Sequence, residues 1–353
     1  MTADQPAFPP NPVQHAAAEP RLAQTAHAEP SRYRTDPVRY FAERFRAVGD
    51  NIERVVQGKR EVVDLALTCL FAEGHLLIED VPGVGKTTLA RCMAASVDAS
   101  WHRIQFTPDL LPSDITGVSI YNQGSREFEF HRGPVFANIV LGDEINRASP
   151  KTQSALLEVM EERNVTVDAA PHPVPRPFMV IATQNPVDMD GTYPLPEAQL
   201  DRFLMRIAVG YPEHAAEVAV LTGSPAGPQV ESLTTVASLQ EVGQLVTAAL
   251  RVHVAKPLYD YIVQVTAATR TAAGVRLGAS PRGSVALLRA VRVRAASQGR
   301  NYGVPEDVKA LAPHVLAHRL LLVPEAELRG RTGTDVIADV LHSVPVPAAR
   351  PGS

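Results

Sequence analysis

The chain has 353 residues and a formal net charge of −4, from 34 Lys and Arg against 38 Asp and Glu. This near balance excludes an overall attraction to nucleic acid or to an anionic membrane. The length exceeds the ~100–200 residues typical of one domain, which predicts two domains with tails.

Residues 1–36 are rich in proline, alanine and glutamine and lack hydrophobic periodicity, so we expect a disordered N-terminal arm. No basic residue precedes Arg21 and no apolar core segment follows it, which argues against a secretory signal. No stretch approaches the ~20 apolar residues of a membrane-spanning helix. Cys69 and Cys92 lack metal-ligand spacing, which favours buried thiols in a reducing compartment. We therefore expect a cytoplasmic protein without membrane insertion.

Residues 37–211 carry the pattern of an α/β core. Apolar residues at helical spacing predict an amphipathic helix over Val38–Val56, and Ser149 and Pro150 predict the start of a helix over Lys151–Glu162. Short apolar runs alternate with such segments, which predicts the buried strands of a parallel sheet. The runs are His75–Ile78, His102–Phe106, Asn138–Leu141, Phe178–Ala182 and Met205–Val209.

Two inserts interrupt this alternation, and both are expected to project from the sheet. The first, Gly117–Phe136, alternates apolar residues around Asn122-Gln123-Gly124, which is typical of a hairpin. The second begins at Val165-Thr166-Val167 and continues through the proline-rich Ala170–Pro177.

Beyond Gly210-Tyr211-Pro212 the strand-like runs stop, which predicts a separate helical domain over residues 212–344. Residues 345–353 are expected to form a flexible tail. The predicted helices are Leu239–Leu250, Leu258–Thr271, Ser284–Ser297, Glu306–His318 and Asp335–Val344.

The loop between the first predicted strand and the next helix carries the clearest chemical signal. Triphosphate binding needs outward-facing backbone N–H groups, a lysine for the β and γ oxygens, a hydroxyl for Mg²⁺ and a helix N-terminus behind them. This loop supplies all four, so a chance Gly-Lys-Thr sequence is the weaker interpretation. The expected ATP contacts are Val81, Pro82, Gly83, Val84, Gly85, Lys86, Thr87 and Thr88, with Thr87 also a Mg²⁺ ligand.

One residue departs from the G-x-x-x-x-G-K-[ST] pattern, because Asp80 stands at the first glycine position. A carboxylate so near phosphates repels them unless it points away or pairs with a cation.

A carboxylate pair follows the buried run Asn138–Leu141. We expect Asp143 to hold Mg²⁺, through water, and Glu144 to polarise the attacking water. Alone, such a pair is more often a solvated strand end, but its position downstream of a P-loop favours the catalytic interpretation.

Polar residues also end the run Phe178–Ala182, where Thr183-Gln184-Asn185-Pro186 places amides at the tip of another strand. They are candidates for holding the γ-phosphate or the attacking water. An isolated arginine such as Arg202 or Arg282 is more typical of a surface charge. A catalytic role for either arginine is favoured only because it occurs together with the P-loop, the acidic pair and the polar strand tip.

The order of these features resembles that of AAA+ ATPases. The amino-acid sequences of the motifs are similar to those of the MoxR family, which belongs to the AAA+ ATPases. The resemblance implies a P-loop NTPase fold, with a three-layer αβα core around a five-stranded parallel sheet and a C-terminal all-α lid. It also makes Asp80 compatible with activity, since that family often lacks the first P-loop glycine. The most specific stretches are Glu79–Thr87, Gly142–Ala148, Ala182–Pro186, Pro196–Phe203 and Gly278–Arg282.

The resemblance further implies roles for single residues. It implies that Asn185 is sensor 1 and that Arg202 is an arginine finger that reaches the γ-phosphate of a neighbouring subunit. It also implies that Arg282 is sensor 2 on the lid, and that Arg282 acts either in cis or in trans. Val56 and Gly58 lie where the family contacts adenine. Activity then requires a homo-oligomeric ring, expected to be a hexamer, and the inserts match the family's helix-2 insert and pre-sensor-1 hairpin, which commonly face the ring's pore or a client.

The sequence is compatible with three functions. The leading one is a chaperone-like ATPase that activates partner proteins, with von Willebrand factor A-domain proteins as the implied clients. A nucleic-acid motor similar to MCM helicases is less favoured, because phosphate tracking normally uses more Lys and Arg than the inserts carry. A slow nucleotide switch is disfavoured by Glu144 and by the two arginines. The inserts carry Arg126, His131, Arg132, Arg163, His172 and Arg176.

Overall fold

The structure, a computed structural model, describes residues 36–185, 192–211, 214, 217–218 and 229–347. The predicted N-terminal arm lies outside this range apart from Asp36, and so do Pro186 and residues 348–353 of the predicted tail. The described chain from Pro37 onward belongs to one compact unit. Among its helices, none is both long enough and apolar enough to cross a membrane.

Helices and strands alternate through the first part of the described chain. In order they are α1 (Pro37–Glu53), α2 (Arg60–Phe71), β1 (Leu76–Glu79), α3 (Lys86–Ser96), β2 (Trp101–Gln105), α4 (Pro112–Thr116), β3 (Gly117–Asn122), β4 (Glu127–Arg132), β5 (Ile139–Asp143), α5 (Pro150–Glu162), β6 (Asn164–Val167), β7 (Ala170–Pro173), β8 (Met179–Gln184), α6 (Glu197–Leu200) and β9 (Met205–Ile207).

The part that follows is mainly helical. It contains α7 (Leu239–Leu250), α8 (Lys256–Ala268), β10 (Val275–Leu277), α9 (Pro281–Ser297), α10 (Pro305–Leu316), β11 (Leu321–Leu322), α11 (Pro324–Leu328) and α12 (Gly333–Ser343).

The predicted five-stranded parallel sheet is confirmed, with the strand order β2-β5-β8-β1-β9. Its central strands are buried on both faces, which explains why they are continuous apolar runs in the sequence. On one face, Leu156 and Leu157 of α5 belong to the same core cluster as Val140 and Val180. Because all five strands are parallel, their carboxyl ends share one edge of the sheet, where ligands of open α/β sheets bind.

The predicted helix after β5 is confirmed. It begins at Pro150, and the Ser149 hydroxyl accepts a hydrogen bond from the Thr152 amide at 3.4 Å. A capping hydroxyl and a proline in the first turn both satisfy the unpaired amides of a helix start.

Both predicted inserts are antiparallel hairpins, β3–β4 and β6–β7. The second turns at Asp168 and Ala169, which have φ values of 50° and 64° as a two-residue turn requires. The hairpins also contact each other: the Ser119 hydroxyl donates to Asp168 at 2.6 Å, and the rings of Phe130 and His172 lie 4.4 Å apart. The two inserts therefore form one joined unit.

The second domain predicted from the sequence is helical, and the structure adds a small sheet in which β10 and β11 pair antiparallel. These strands have three and two residues, so they are too short to show the alternation that identifies a strand in a sequence.

A buried ion pair joins this helical region to the core. Arg319, after α10, donates from Nε to Asp201 at 2.8 Å and from Nη2 to the Phe203 carbonyl at 2.6 Å, and its side chain is 2% exposed. Ser280, the cap of α9, donates to the other oxygen of Asp201 at 2.8 Å. Asp201 thus binds two points of the helical region at once.

His75 is a buried core histidine with both ring nitrogens satisfied. Nδ1 accepts from the Val180 amide at 3.0 Å, so Nε2 carries the proton and donates to the Met160 carbonyl at 3.1 Å. Burial lowers the pKa of His75 from 6.5 to about 4.

We expect His75 to make the protein less stable as the pH falls from 6.5 toward 4. In that window the unfolded chain binds a proton that the folded state refuses, so the stabilisation is complete above pH 6.5 and lost progressively below it. At pH 5 the loss from this residue amounts to about 2 kcal/mol.

Urea unfolding of wild type and His75→Phe at pH 7 and pH 5 measures this effect. His314 and His318 also have lowered pKa values from burial, so the variant isolates the share of His75. An equal loss of stability in the variant and in the wild type contradicts the assignment.

Candidate functional site

The predicted P-loop runs from the carboxyl end of β1 into the N-terminus of α3, as phosphate binding requires. Gly83 and Gly85 have φ values of 84° and 91°, in the left-handed region that side chains disfavour. A Cβ atom at either glycine meets nothing within 4 Å in the described structure, so these backbone positions face open space. The loop therefore presents backbone, without bulk, to a ligand.

Asp80 turns away from this cradle. Its Oδ1 accepts from the Val81 amide at 2.8 Å, and its Oδ2 accepts from the amides of Val209 and Gly210 at 2.7 and 2.6 Å. Three backbone donors stabilise the charged carboxylate. Asp80 thus tethers the start of the P-loop to the chain that leaves β9, and the expected repulsion of phosphates is avoided.

Lys86, the first residue of α3, is half-buried and donates to the backbone carbonyl of Asp80. Burial lowers the pKa of Lys86, and the charges of Asp80, Asp143 and Glu144 oppose that shift. These carboxylates therefore act electrostatically on the P-loop lysine.

Asp143 ends β5, and both of its oxygens are bound. Oδ1 accepts from the Thr183 hydroxyl at 2.6 Å, and Oδ2 accepts from Nε and Nη2 of Arg103 at 3.0 and 2.6 Å. The side chain remains 15% exposed, so solvent reaches it.

Glu144 adopts a left-handed backbone conformation with φ 57° and ψ 50°, which is unusual outside glycine and concentrates at functional sites. The Thr183 hydroxyl accepts from the Glu144 amide at 2.9 Å and stabilises this turn. Oε2 of Glu144 accepts from Gln105 at 3.0 Å and from Arg147 at 2.9 Å. Oε1 accepts no hydrogen bond from the part of the chain that the structure describes, so it is the oxygen available to polarise water.

Sequence reasoning missed several of these partners. Thr183 belongs to the polar tip of β8, and no local pattern indicates that its hydroxyl contacts both the Asp143 carboxylate and the Glu144 amide. Gln105 and Arg103 lie on β2, far along the chain from β5, and become neighbours only because the two strands pair, with Gln105 opposite Asp143. The one available signal is that a polar residue ends each of these two strands, Gln105 on β2 and Asp143 on β5.

Asn185 immediately follows β8 and thus lies at the same edge as Asp143, since β5 and β8 are neighbours. The segment predicted to contact adenine is also near the P-loop. Lys59, next to Gly58, donates to the Tyr211 carbonyl at 2.7 Å, and Tyr211 follows the Gly210 amide that Asp80 binds. Val56 belongs to the same segment and is partly buried.

Arg202 and Arg282 lie elsewhere. Arg202 precedes β9 and is therefore at the amino edge of the sheet, about 13 Å from the carboxyl edge if β1 rises about 3.3 Å per residue. Both arginines bind Glu161 at the end of α5, Arg202 at 3.0 Å and Arg282 at 2.7 Å. The two predicted arginines thus come together, but apart from the P-loop of their own chain.

These two arginines line a cavity of about 630 Å³ at the amino edge. Arginines outnumber carboxylates in its lining, and the neutral His75 adds no charge, so the cavity suits an anion. The arginines are Arg163, Arg176, Arg202, Arg282, Arg289 and Arg319, and the carboxylates are Glu73, Glu161 and Asp201.

A five-stranded parallel sheet in the order β2-β5-β8-β1-β9, with the P-loop after β1 and a helical region behind it, is the arrangement of an AAA+ ATPase. Residues 75–205 match the family of ATPases associated with various cellular activities (AAA), and residues 267–340 match the AAA lid domain. A solved crystal structure of a protein from Cytophaga hutchinsonii has the same fold, with a TM-score of 0.82 and 38% identity over 88% of this chain and 97% of that one.

Three similar proteins indicate the family within the AAA+ ATPases to which the chain belongs. YeaC of Bacillus subtilis, an uncharacterized protein, is 48% identical over 85% of this chain and 94% of its own. Chaperone MoxR1 of Mycobacterium tuberculosis is 44% identical over 84% and 80%, and Protein MoxR of Methylorubrum extorquens is 34% identical over 84% and 93%. The chain belongs to the MoxR family of AAA+ ATPases.

Proposed function

We propose that this ATPase works as a Mg²⁺-dependent, homo-oligomeric ring, with six as the expected number of subunits, that remodels or activates partner proteins. The observation that carries the ring is the division of the site between two edges of the sheet. The P-loop, Asp143 and Glu144 occupy the carboxyl edge, whereas Arg202 and Arg282 meet at the amino edge. A neighbouring subunit that docks its amino edge on this carboxyl edge completes the site.

The residues around the P-loop fit a magnesium ion held jointly with ATP. Thr87 brings a hydroxyl to the start of α3, and Asp143 brings a partly exposed carboxylate to the same edge. Bound Mg²⁺ would neutralise charge that develops on the phosphates.

In this proposal each side chain has one task. Lys86 and the loop amides bind the phosphates, Glu144 polarises the attacking water, and Asn185 orients the water or the γ-phosphate. Arg202 and Arg282 act in trans on the neighbour's γ-phosphate, a role that their common position away from their own P-loop supports.

The joined hairpins are the proposed client contact. Val118, Ile120, Tyr121 and Phe128 are all exposed there, Phe128 by 70%, and the rings of Tyr121 and Phe128 pack edge to face at 5.3 Å. Exposed apolar side chains of this kind suit binding to protein. The relative named Chaperone MoxR1 supports a client-remodelling role, and the family resemblance implies a von Willebrand factor A-domain protein as the client class.

A nucleic-acid motor is less well supported. Arg163 is bound to Glu73 at 3.0 Å, and Arg132 stacks on the Phe136 ring at 5.3 Å. Phosphate release measured with and without DNA distinguishes the two functions, because strong stimulation by DNA contradicts the chaperone proposal.

Glu144→Gln is the test of the hydrolytic site. We expect turnover to fall by ~10²-fold or more with ATP binding preserved, because the amide cannot accept a proton while the phosphate-binding loop is untouched. Phosphate release and nucleotide binding measured on the same sample separate the two effects. Wild-type hydrolysis in this variant refutes the role of Glu144.

The same variant tests the client role. Held with ATP, Glu144→Gln should retain partner proteins that mass spectrometry identifies, whereas Lys86→Ala, which cannot bind the triphosphate, should not. Equal recovery on both forms argues against an ATP-dependent client.

A further inference from the structure

Glu161, in the last turn of α5, binds the two proposed trans arginines with separate oxygens. Its Oε2 forms an ion pair with Nη2 of Arg202 at 3.0 Å, and its Oε1 accepts a hydrogen bond from Nη2 of Arg282 at 2.7 Å. One carboxylate of the core thus connects an arginine next to β9 with an arginine on the first turn of α9.

The contacts that the described residues show between Glu161 and the two arginines are made through Nη2, and each guanidinium group has five N–H donors in total. Arg202 and Arg282 are 28% and 59% exposed, and both line the cavity at the amino edge. The exposed parts of both guanidinium groups therefore remain available to an anion that enters the cavity while Glu161 stays bound. Nε of Arg202 is buried and does not belong to that exposed surface.

We propose that Glu161 is a positioning residue that brings Arg202 and Arg282 to one point, so that both reach the same γ-phosphate of a neighbouring subunit. This inference rests on the proposed trans action of the two arginines. Two guanidinium groups repel each other, and their long side chains lose conformational entropy when they are fixed in one place. A shared carboxylate lowers the repulsion and restricts both side chains before the phosphate binds.

A purely structural role for Glu161 is a poor alternative. Asp201 already joins the lid to the core through Ser280 and the buried Arg319. Glu161 is 35% exposed, and ion pairs with that degree of exposure contribute little to stability. Removing its charge should thus leave the fold intact and change the reaction.

Glu161→Gln separates these roles, because glutamine keeps one acceptor oxygen and turns the other into a donor. It can hold one arginine but not two. We expect kcat to fall by about tenfold, the effect of freeing one long side chain from its anchor. KM for ATP and the thermal unfolding temperature should stay at wild-type values, since the P-loop and the core are unchanged.

Two variants serve as controls. Glu162→Gln removes the adjacent charge, which is exposed and makes no ion pair within the described residues, and should retain wild-type kcat. Glu161→Asp keeps both acceptor oxygens on a shorter stem and should recover part of the lost rate.

The decisive measurement is a cycle with Arg282→Ala. In that background only Arg202 remains to be held, and glutamine suffices for one arginine, so Glu161→Gln should lower kcat by less than about twofold. Additive losses, or an unchanged kcat in Glu161→Gln beside an inactive Arg202→Ala, overturn the positioning role alone. Wild-type activity of Arg202→Ala instead overturns the proposed function on which it rests.

Discussion

Arg202→Ala should lower ATP turnover by about 10³-fold, the scale on which an arginine supplied in trans accelerates related NTPases. Its own P-loop should bind ATP as the wild type does, because Arg202 lies at the opposite edge of the sheet and contacts Glu161. Phosphate release at ring-forming protein concentration, with nucleotide binding measured in parallel, checks both statements.

Mixing with Lys86→Ala tells action in trans from action in cis. Arg202→Ala subunits retain a working P-loop, and Lys86→Ala subunits retain the arginine, so mixed rings contain completed sites although each variant alone is inactive. Arg329→Ala, at an exposed lid arginine without an ion pair in the described chain, is the matched control and should hydrolyse normally. No recovery in the mixture, or full activity of Arg202→Ala alone, contradicts the trans role.

Asp201→Ala should destabilise the protein by about 3–5 kcal/mol, because it leaves the buried guanidinium of Arg319 without its counter-charge. Burial already lowers the pKa of Arg319, and Asp201 opposes that shift, so the pair is electrostatically coupled. The free energy of unfolding from urea titration measures the effect.

An exposed ion pair on α8 provides the comparison. Lys256 and Asp260 are 84% and 54% exposed and 2.9 Å apart, so Asp260→Ala should change the unfolding free energy by about 1 kcal/mol or less. The double variant Asp201→Ala/Arg319→Met should lose less than the sum of its single variants, since the unpaired charge is gone. Equal small losses at both sites argue against the anchoring role of Asp201.

Much of the fold followed from local sequence. The strands are apolar runs because both faces of a parallel sheet are covered, and β1 is recognisable because the P-loop follows it directly. The start of α5 was marked by Ser149 and Pro150. Elements whose formation depends on residues close together in the chain could therefore be predicted from the sequence.

The contacts within the site were not accessible in this way. Gln105 reaches Glu144, and Arg103 reaches Asp143, across a strand pair whose register no local pattern encodes. The same is true of Glu161, which the sequence presents as one of several acidic residues on an exposed helix face. The orientation of Asp80 depended on amides more than 120 residues away.

The tether made by Asp80 has a mechanical consequence. Its carboxylate connects the start of the nucleotide-binding loop to Val209 and Gly210, where the chain leaves β9 toward the lid and where Gly210 has a φ of 71°. A displacement of the loop would therefore pull on Val209 and Gly210 directly through two hydrogen bonds, with no helix in between. The residue that replaces the first glycine of the motif thus couples the position of the nucleotide-binding loop to the path of the chain beyond β9.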